Sequence, residues 1–296
     1  MTSSSHRRDS LLRAAAPLAA ALLLVGCPGA PPTEIPVTDG VVFRTDKATA
    51  TQTLTVDRNT ATVRPVVVAE NLERLRNNVV GDARTVRDWV QKYGAVAGVN
   101  GGFFGDMYDS LGRRKQLVQL CILEGKVVAP GTPVGTALRS TVGFAQNGEA
   151  QLAWTVGTEQ QGARRYEKPV KTKSGLTWPV QSAVACGPRL IHKTKIDIAD
   201  RAEKLVSDVK VGRMAVATSG RYLVFCRAES MTYGELARYL VAFFKEKLGA
   251  VPDEAMCLDG GPSAQLVYQD GSALKEAEPT GVQVPTAILL MPATTR

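Results

Sequence analysis

Two short segments carry the residues best suited to chemistry. The first is Val99-Asn100-Gly101-Gly102-Phe103-Phe104-Gly105-Asp106, behind an apolar run of strand character. The second is Cys257-Leu258-Asp259-Gly260-Gly261-Pro262-Ser263, again behind a short apolar run. Paired glycines admit φ > 0 and let the backbone approach a ligand closely, so their amide N–H groups can serve as anion donors. Asn100 adds a donor and an acceptor, Asp259 a carboxylate and Ser263 a hydroxyl. A lone Gly-Gly is most simply a tight turn, and an Asp before one can cap it. Two strand–polar–Gly-Gly elements in one chain point to a site.

Other residues limit what that site can be. Arg213 opens a further apolar run; its planar fork suits two phosphate oxygens, although an Arg there also fits a surface salt bridge. Ser263 reads as a ligand or turn hydrogen-bonder, since no partner base accompanies it. His6 lies in the leading segment, so His192 is the one histidine of the remaining chain. A multi-His metallophosphodiesterase centre and a His-rich zinc site are thereby excluded. A Ser-His-Asp triad would need His192, whose place after Gly187–Ile191 leaves it a candidate ligand. A carboxylate site for a divalent cation such as calcium, built on Asp259 and Asp106, stays open. Glu229 is a further candidate acid in the segment before the second helix.

The elements that must hold these residues are mostly strands. Runs at 40–43, 52–56, 63–68, 95–99, 117–123, 141–145, 151–156, 183–191, 213–217, 222–225, 255–258, 264–268 and 286–291 are rich in strand formers and bounded by turn residues. Asn147-Gly148 and Asp270-Gly271 predict hairpin turns. Two helices are predicted. Thr85–Tyr93 places Val86, Trp89 and Val90 at helical spacing and ends at Gly94. Thr232–Leu248 opens on a T-x-x-E capping box and carries an apolar stripe of Leu236, Leu240, Phe243, Phe244 and Leu248 before Gly249. Residues 160–177 are polar and basic, and read as a loop or insertion. The expected fold class is α+β: a single domain, residues 37–296, with a large mixed β-sheet and few helices.

In order and spacing, Asn100-Gly101-Gly102-Phe103-Phe104, Gly187-Pro188-Arg189-Leu190, Arg213, the Thr232–Gly249 helix and Leu258-Asp259-Gly260-Gly261-Pro262-Ser263 resemble the phosphodiester glycosidases. The resemblance spans about Val63 to Met291. Pro262 stands where the family commonly has Gly, Ala264 where it has Ser or Thr, and Met214 and Ala217 replace a more usual Thr and Gly. The resemblance implies hydrolysis of the glycosidic bond in sugar-1-phosphodiesters of the N-acetylglucosamine type. It assigns Arg213 to the phosphate and Asp259 to the role of base, nucleophile or metal ligand. Asn100, with Gly101, Gly102, Gly260, Gly261 and Ser263, would bind sugar or phosphate oxygens. The alternative is a non-catalytic glycan-binding or exopolysaccharide-assembly lipoprotein that kept the pocket and lost turnover.

The N-terminus reads as an export signal. Arg7, Arg8 and Arg13 precede an apolar run, Ala14–Val25, of about a dozen residues, too short for a ~30 Å hydrocarbon core. Leu24-Val25-Gly26-Cys27 resembles a lipobox, so residues 1–26 are the expected signal and Cys27 the lipidated residue. Residues 27–36 form the expected tether, and the lipid makes the membrane a partner. Pro28 is not the Asp that signals inner-membrane retention, which favours the outer membrane. The whole chain has a formal charge of +8, suited to anionic envelope polymers or phosphate-bearing substrates. It holds no Lys/Arg block with interleaved aromatics, so nucleic acid is not an expected partner. Cys121, Cys186, Cys226 and Cys257 remain for up to two disulfides, or for the interior of the fold as small hydrophobes.

Overall fold

The computed structural model describes residues 33–293 apart from 76–77, 110–111, 132–136, 173–174 and 206–208. The expected signal, Cys27 and residues 28–32 lie outside the described residues. β-Branched and apolar runs between short turns produce four β-sheets, with two α-helices beside them. This corrects the expected α+β class to a mainly β fold. The expected mixed sheet is corrected as well: every strand pairing among the described residues is antiparallel. Turns of a few residues join most successive strands, whereas parallel neighbours need a crossover of a dozen residues or more.

The largest sheet has eight strands. In spatial order they begin with Thr33–Thr38, Val41–Asp46, Thr51–Asp57 and Tyr222–Met231. Val211–Thr218, Glu254–Cys257, Arg189–His192 and Lys195–Ile196 complete it. A five-stranded sheet centres on Ala97–Asn100, flanked by Leu266–Asp270 and Ala287–Pro292. A seven-stranded sheet contains Arg139–Phe144 and Ser182–Ala185, and a four-stranded one the Phe104–Asp109 and Gly112–Leu117 hairpin.

Alternate side chains of these strands meet in one core. Phe43, Leu54, Met214, Phe225 and Met256 of the eight-stranded sheet join Val99, Leu266, Tyr268, Ile288 and Leu290 of the five-stranded one. Phe43 stacks on Tyr268 with ring centroids 3.8 Å apart. Helix α1 (Val86–Tyr93) buries Val86, Trp89 and Val90 against the five-stranded sheet, capped by the Thr85 hydroxyl and stopped by Gly94 in the left-handed region. Helix α2 (Tyr233–Leu248) has both halves of its predicted capping box, between Thr232 and Glu235. Its Leu236, Leu240, Phe243 and Phe244 cover Ala215, Ala217, Val224 and Cys257 of the eight-stranded sheet. Each such side chain contributes ~1.5–3 kcal/mol on burial. No helix among the described residues is long and apolar enough to cross a membrane.

Three boundaries differ from expectation. Thr33–Thr38 is a strand, so residues 33–36 belong to the sheet rather than the tether; an edge strand tolerates Pro36. The stretch read as a loop at 160–177 contains the strand Gly162–Tyr166, paired with Ala150–Thr158. Partnering by a neighbouring strand outweighs its polar composition. The run expected at 183–191 breaks at Gly187-Pro188 into strands of two different sheets, since Pro188 has no N–H to donate.

Candidate functional site

The C-terminal ends of Ala97–Asn100 and Glu254–Cys257 meet although the strands belong to different sheets. Asn100 is fully buried and joins them. Its Nδ2 donates to the Asp259 carbonyl at 2.8 Å, and its Oδ1 accepts from the Gln265 amide at 3.1 Å. The Asp259 amide in turn donates to the Gly101 carbonyl at 3.1 Å. The two segments singled out in the sequence are thus one structure. The price is that both ends of the Asn100 amide are taken by the main chain, which corrects its expected role as a ligand for sugar or phosphate.

The first glycine pair also departs from expectation. Neither Gly101 nor Gly102 has positive φ. The Gly101 amide donates to the Thr286 carbonyl at 2.9 Å and the Gly102 amide to Thr286 Oγ1 at 3.2 Å. These N–H groups face protein, not an open anion site. The glycines are there for close packing: an added Cβ at Gly101 would overlap Thr286 Oγ1, and one at Gly102 the Ala185 carbonyl. In the second pair, Gly261 has φ 59°, as the turn requires, and Gly260 lies against the next strand. A Cβ on Gly260 would stand 2.8 Å from the Gly212 carbonyl.

That contact sets the backbone at Asp259 next to the strand that carries Arg213. Cys257 pairs with Ala215, and the Leu258 amide donates to the Met214 carbonyl at 2.8 Å. Asp259 therefore leaves its strand alongside Arg213. It is partly buried, and desolvation pushes its carboxyl up to about 6. The Ser263 hydroxyl and the Gly260 amide, 2.9 Å from Oδ1, oppose that shift by stabilising the anion. Desolvation wins. Asp259 does cap its own Gly-Gly turn, and Ser263, in the Gly261–Ser263 3₁₀ turn, holds it.

Arg213 is buried and is no surface salt bridge. Nε donates to the Met231 carbonyl at 3.0 Å and Nη2 to the Val209 carbonyl at 2.7 Å. Its guanidinium carbon stands 3.9 Å from the centroid of the Tyr233 ring. The phenol of Tyr233 is pushed up to about 12, mainly by burial, and stays neutral at ordinary pH. Two of its five N–H donors go to these carbonyls, and the side chain also hydrogen-bonds Tyr233.

Other expected members lie elsewhere. His192 sits at the far end of Glu254–Cys257 from Asp259, with Nδ1 3.0 Å from Glu254 Oε1. Five residue steps of near-extended chain, ~17 Å, lead from Glu254 to Asp259. This corrects the assignment of His192 to the site. Asp106 accepts from Lys115 Nζ at 2.6 Å in the hairpin after Phe104. Among the described residues no group of three or more His, Cys, Asp or Glu side chains is placed to hold a metal ion. Glu229 belongs to the Tyr222–Met231 strand and is exposed. Cys121, Cys186, Cys226 and Cys257 are free and buried, and burial raises every one of these thiols.

Sequence reasoning missed three supporting groups. Tyr233 is hidden as the first residue of α2. Arg227 donates from Nε to the Ala264 carbonyl at 3.1 Å, directly behind Ser263. Glu203 is fully buried and accepts from Ser140 Oγ at 2.6 Å, Trp154 Nε1 at 2.7 Å and the Arg189 amide at 3.0 Å. An added Cβ at Gly187 would run into its carboxylate, so Glu203 fixes the Gly187-Pro188 turn beneath Cys257.

Comparison with known proteins bears on this geometry. A sequence comparison with curated proteins finds no significant match. Among solved structures, the fold is similar to an N-acetylglucosamine-1-phosphodiester alpha-N-acetylglucosaminidase catalytic domain from zebrafish, auto-inhibited by its pro-peptide. That similarity has TM-score 0.53 and 16% identity, over 85% or so of each chain (86% of this one and 84% of that one). A Burkholderia pseudomallei protein described as exported matches with TM-score 0.57 and 12% identity, over 85% of this chain and 74% of that one. A hypothetical protein from Synechocystis matches with TM-score 0.51 and 14% identity, over 88% of this chain and 61% of that one. At these identities the likeness is one of fold. The phosphodiester glycosidase family model matches residues 93–291, which include Asn100, Arg213 and Asp259. The chain belongs to the phosphodiester glycosidase family.

Proposed function

We propose that this protein hydrolyses the glycosidic bond of sugar-1-phosphodiesters, of the N-acetylglucosamine-1-phosphodiester type, at the cell envelope. The observation that carries this reading is Asp259, a desolvated carboxylate with its pKa raised to about 6, at the end of a strand paired with the one that carries the buried Arg213. A phosphate is already a good leaving group, so the site has less need of a strong general acid than other glycoside hydrolases. What it must supply is a cation for the phosphodiester and a carboxylate near the developing oxocarbenium ion. Arg213 supplies the cation for the phosphodiester, held in place by Tyr233 and two carbonyls. Asp259, ionised above pH 6, acts as base or nucleophile at the sugar carbon. Asn100, Ser263 and the glycine pairs set its position. Cys27 carries the lipid that keeps the enzyme at the membrane, with the outer membrane favoured by Pro28.

The test is release of N-acetylglucosamine from a UDP-linked or chromogenic phosphodiester, with and without chelator, by the wild-type chain and by Asp259→Asn. Sugar release that depends on Asp259 supports the proposal. Saturable glycan binding with no product across pH and metals would instead favour the non-catalytic reading, which Pro262 and Ala264 motivate.

A further inference from the structure

A polar cavity lies at the end of the sheets away from the candidate site. In the strand Ala287–Pro292, Ala287 pairs with Asn100 at the site, whereas Pro292 pairs with Val63, ~17 Å further along. Three sheets converge there: the turn after Thr51–Asp57, the start of Val63–Val68 and the hairpin tip at Asn147-Gly148. Gly148 packs so close that an added Cβ would stand 3.4 Å from Arg64 Cβ and from Pro65 Cδ. The cavity between them measures about 400 Å³. Exposed Arg58, Asn59, Arg64, Gln146 and Asn147 line its rim, and buried Val56 and Leu223 its floor.

This lining holds two cations and no carboxylate. Arg58 donates from Nη1 to the Gly220 carbonyl at 3.3 Å, and among the described residues neither Arg58 nor Arg64 is ion-paired. The adjacent acid, Asp57, turns to Arg221, whose Nε donates to Oδ1 at 2.9 Å. Asn147 Oδ1 accepts from the Glu149 amide at 3.0 Å, which leaves the side-chain NH₂ for a ligand. Gln146 hydrogen-bonds no protein group among the described residues.

A second cavity of about 370 Å³ shares Arg64, Pro65 and Gln146 with the first and continues past Gln181 to Ala69. It follows the outer edge of Val63–Val68, the last strand of the five-stranded sheet. Arg64, Val66 and Val68 bond to Ala287–Pro292, and the alternation of an antiparallel pair turns Val63, Pro65 and Val67 outward. Pro65 has no N–H, and the Val67 N–H already donates to Ser182 Oγ at 3.1 Å. The edge therefore offers the carbonyls of Pro65 and Val67 without the donors between them. An added peptide strand needs both, whereas a chain of hydroxyl groups needs acceptors alone.

We propose that this groove binds an acidic glycan, a sugar chain bearing carboxylate or phosphate groups, at a site separate from the candidate active site. Arg58 and Arg64 take the anionic groups, and the carbonyls of Pro65 and Val67 with the amides of Gln146, Asn147 and Gln181 take the hydroxyls. The assignment is independent of the hydrolase reading.

The test is calorimetric titration of the mature chain with four probes: an oligogalacturonate hexamer, a phosphomonoester-bearing oligomannose, neutral chitohexaose and hexaglutamate. The expected result is saturable binding of at least one acidic sugar, weaker at high salt. Arg58→Ala with Arg64→Ala should weaken it at least ~10-fold, since each charge-assisted hydrogen bond contributes about that much. Both side chains are exposed, so the double variant should keep the wild-type Tm and the wild-type rate on a small phosphodiester. Whichever acidic sugar binds identifies the anionic group. No binding of either acidic sugar, or equal binding by wild type and double variant, overturns the proposal. Chitohexaose bound as tightly as the acidic sugars overturns the role of charge, and hexaglutamate bound as tightly overturns the choice of a glycan over an acidic peptide.

Discussion

The side-chain amide of Asn100 donates to the main-chain carbonyl of Asp259 at 2.8 Å. This bond, with the return bond from the Asp259 amide to the Gly101 carbonyl, ties two sheets together at the site. The pair explains why an amide, and not a carboxylate, ends the Ala97–Asn100 strand: one end must donate and the other must accept.

Asn100→Asp keeps the shape and loses the donor. It faces a buried carbonyl with an acceptor, at a cost of about 2–3 kcal/mol, and loosens the loop that carries Asp259. Chemical denaturation should show that loss, and sugar release should fall with it. A variant of wild-type stability would mean the bond does not hold the two segments together.

Tyr233 supports Arg213 through its ring face, and a cation over such a face gains ~0.5–2 kcal/mol. Tyr233→Phe keeps that face and should leave KM close to wild type. Tyr233→Leu removes it and should raise KM for the phosphodiester several-fold, more than it lowers kcat. Equal effects of Phe and Leu would assign the role to the hydroxyl instead.

Asp259 is held where its charge is disfavoured, and the sign of its effect on stability follows. Its folded pKa of about 6 lies above the unfolded carboxyl value, so the folded state binds the extra proton. The contribution is fully present below about pH 4 and is lost as pH rises through about 6. Asp259→Asn should therefore stabilise the protein by ~2 kcal/mol at pH 8 and by little at pH 4. Thermal unfolding at the two pH values measures the difference.

How much of this was legible in the sequence depends on how local each feature is. The Thr232–Glu235 capping box, the Gly94 and Gly249 stops and the Asn147-Gly148 hairpin are all set by residues within a few positions, and each forms as read. Gly101 and Gly102 were expected to free their amides for a ligand. Their real constraint, Thr286 and Ala185 pressed against them, comes from distant strands that no local pattern reveals. Glu203 is more extreme: a turn carboxylate becomes fully buried because Ser140, Trp154 and Arg189 supply its donors. His192 failed as a site residue because strand direction, invisible in composition, carries it to the wrong end of the sheet.

The cysteines make a separate prediction. All four are buried and unpaired, with Cys121 and Cys257 pushed up to about 12 by desolvation. A thiol reagent should titrate none of them in the native mature protein and four after unfolding. Added reductant should leave Tm unchanged. Fast modification before unfolding would contradict their placement.

The central claim is that Asp259, in its ionised form, performs the chemistry. The most direct measurement is the rate of N-acetylglucosamine release from a soluble phosphodiester between pH 4 and 8, for wild type and Asp259→Asn. The account predicts a wild-type rate that climbs through about pH 6 and levels above it, and a variant slower by ~10²–10⁴-fold at every pH. A variant with the wild-type rate, or a wild-type profile flat across pH 6, would contradict it.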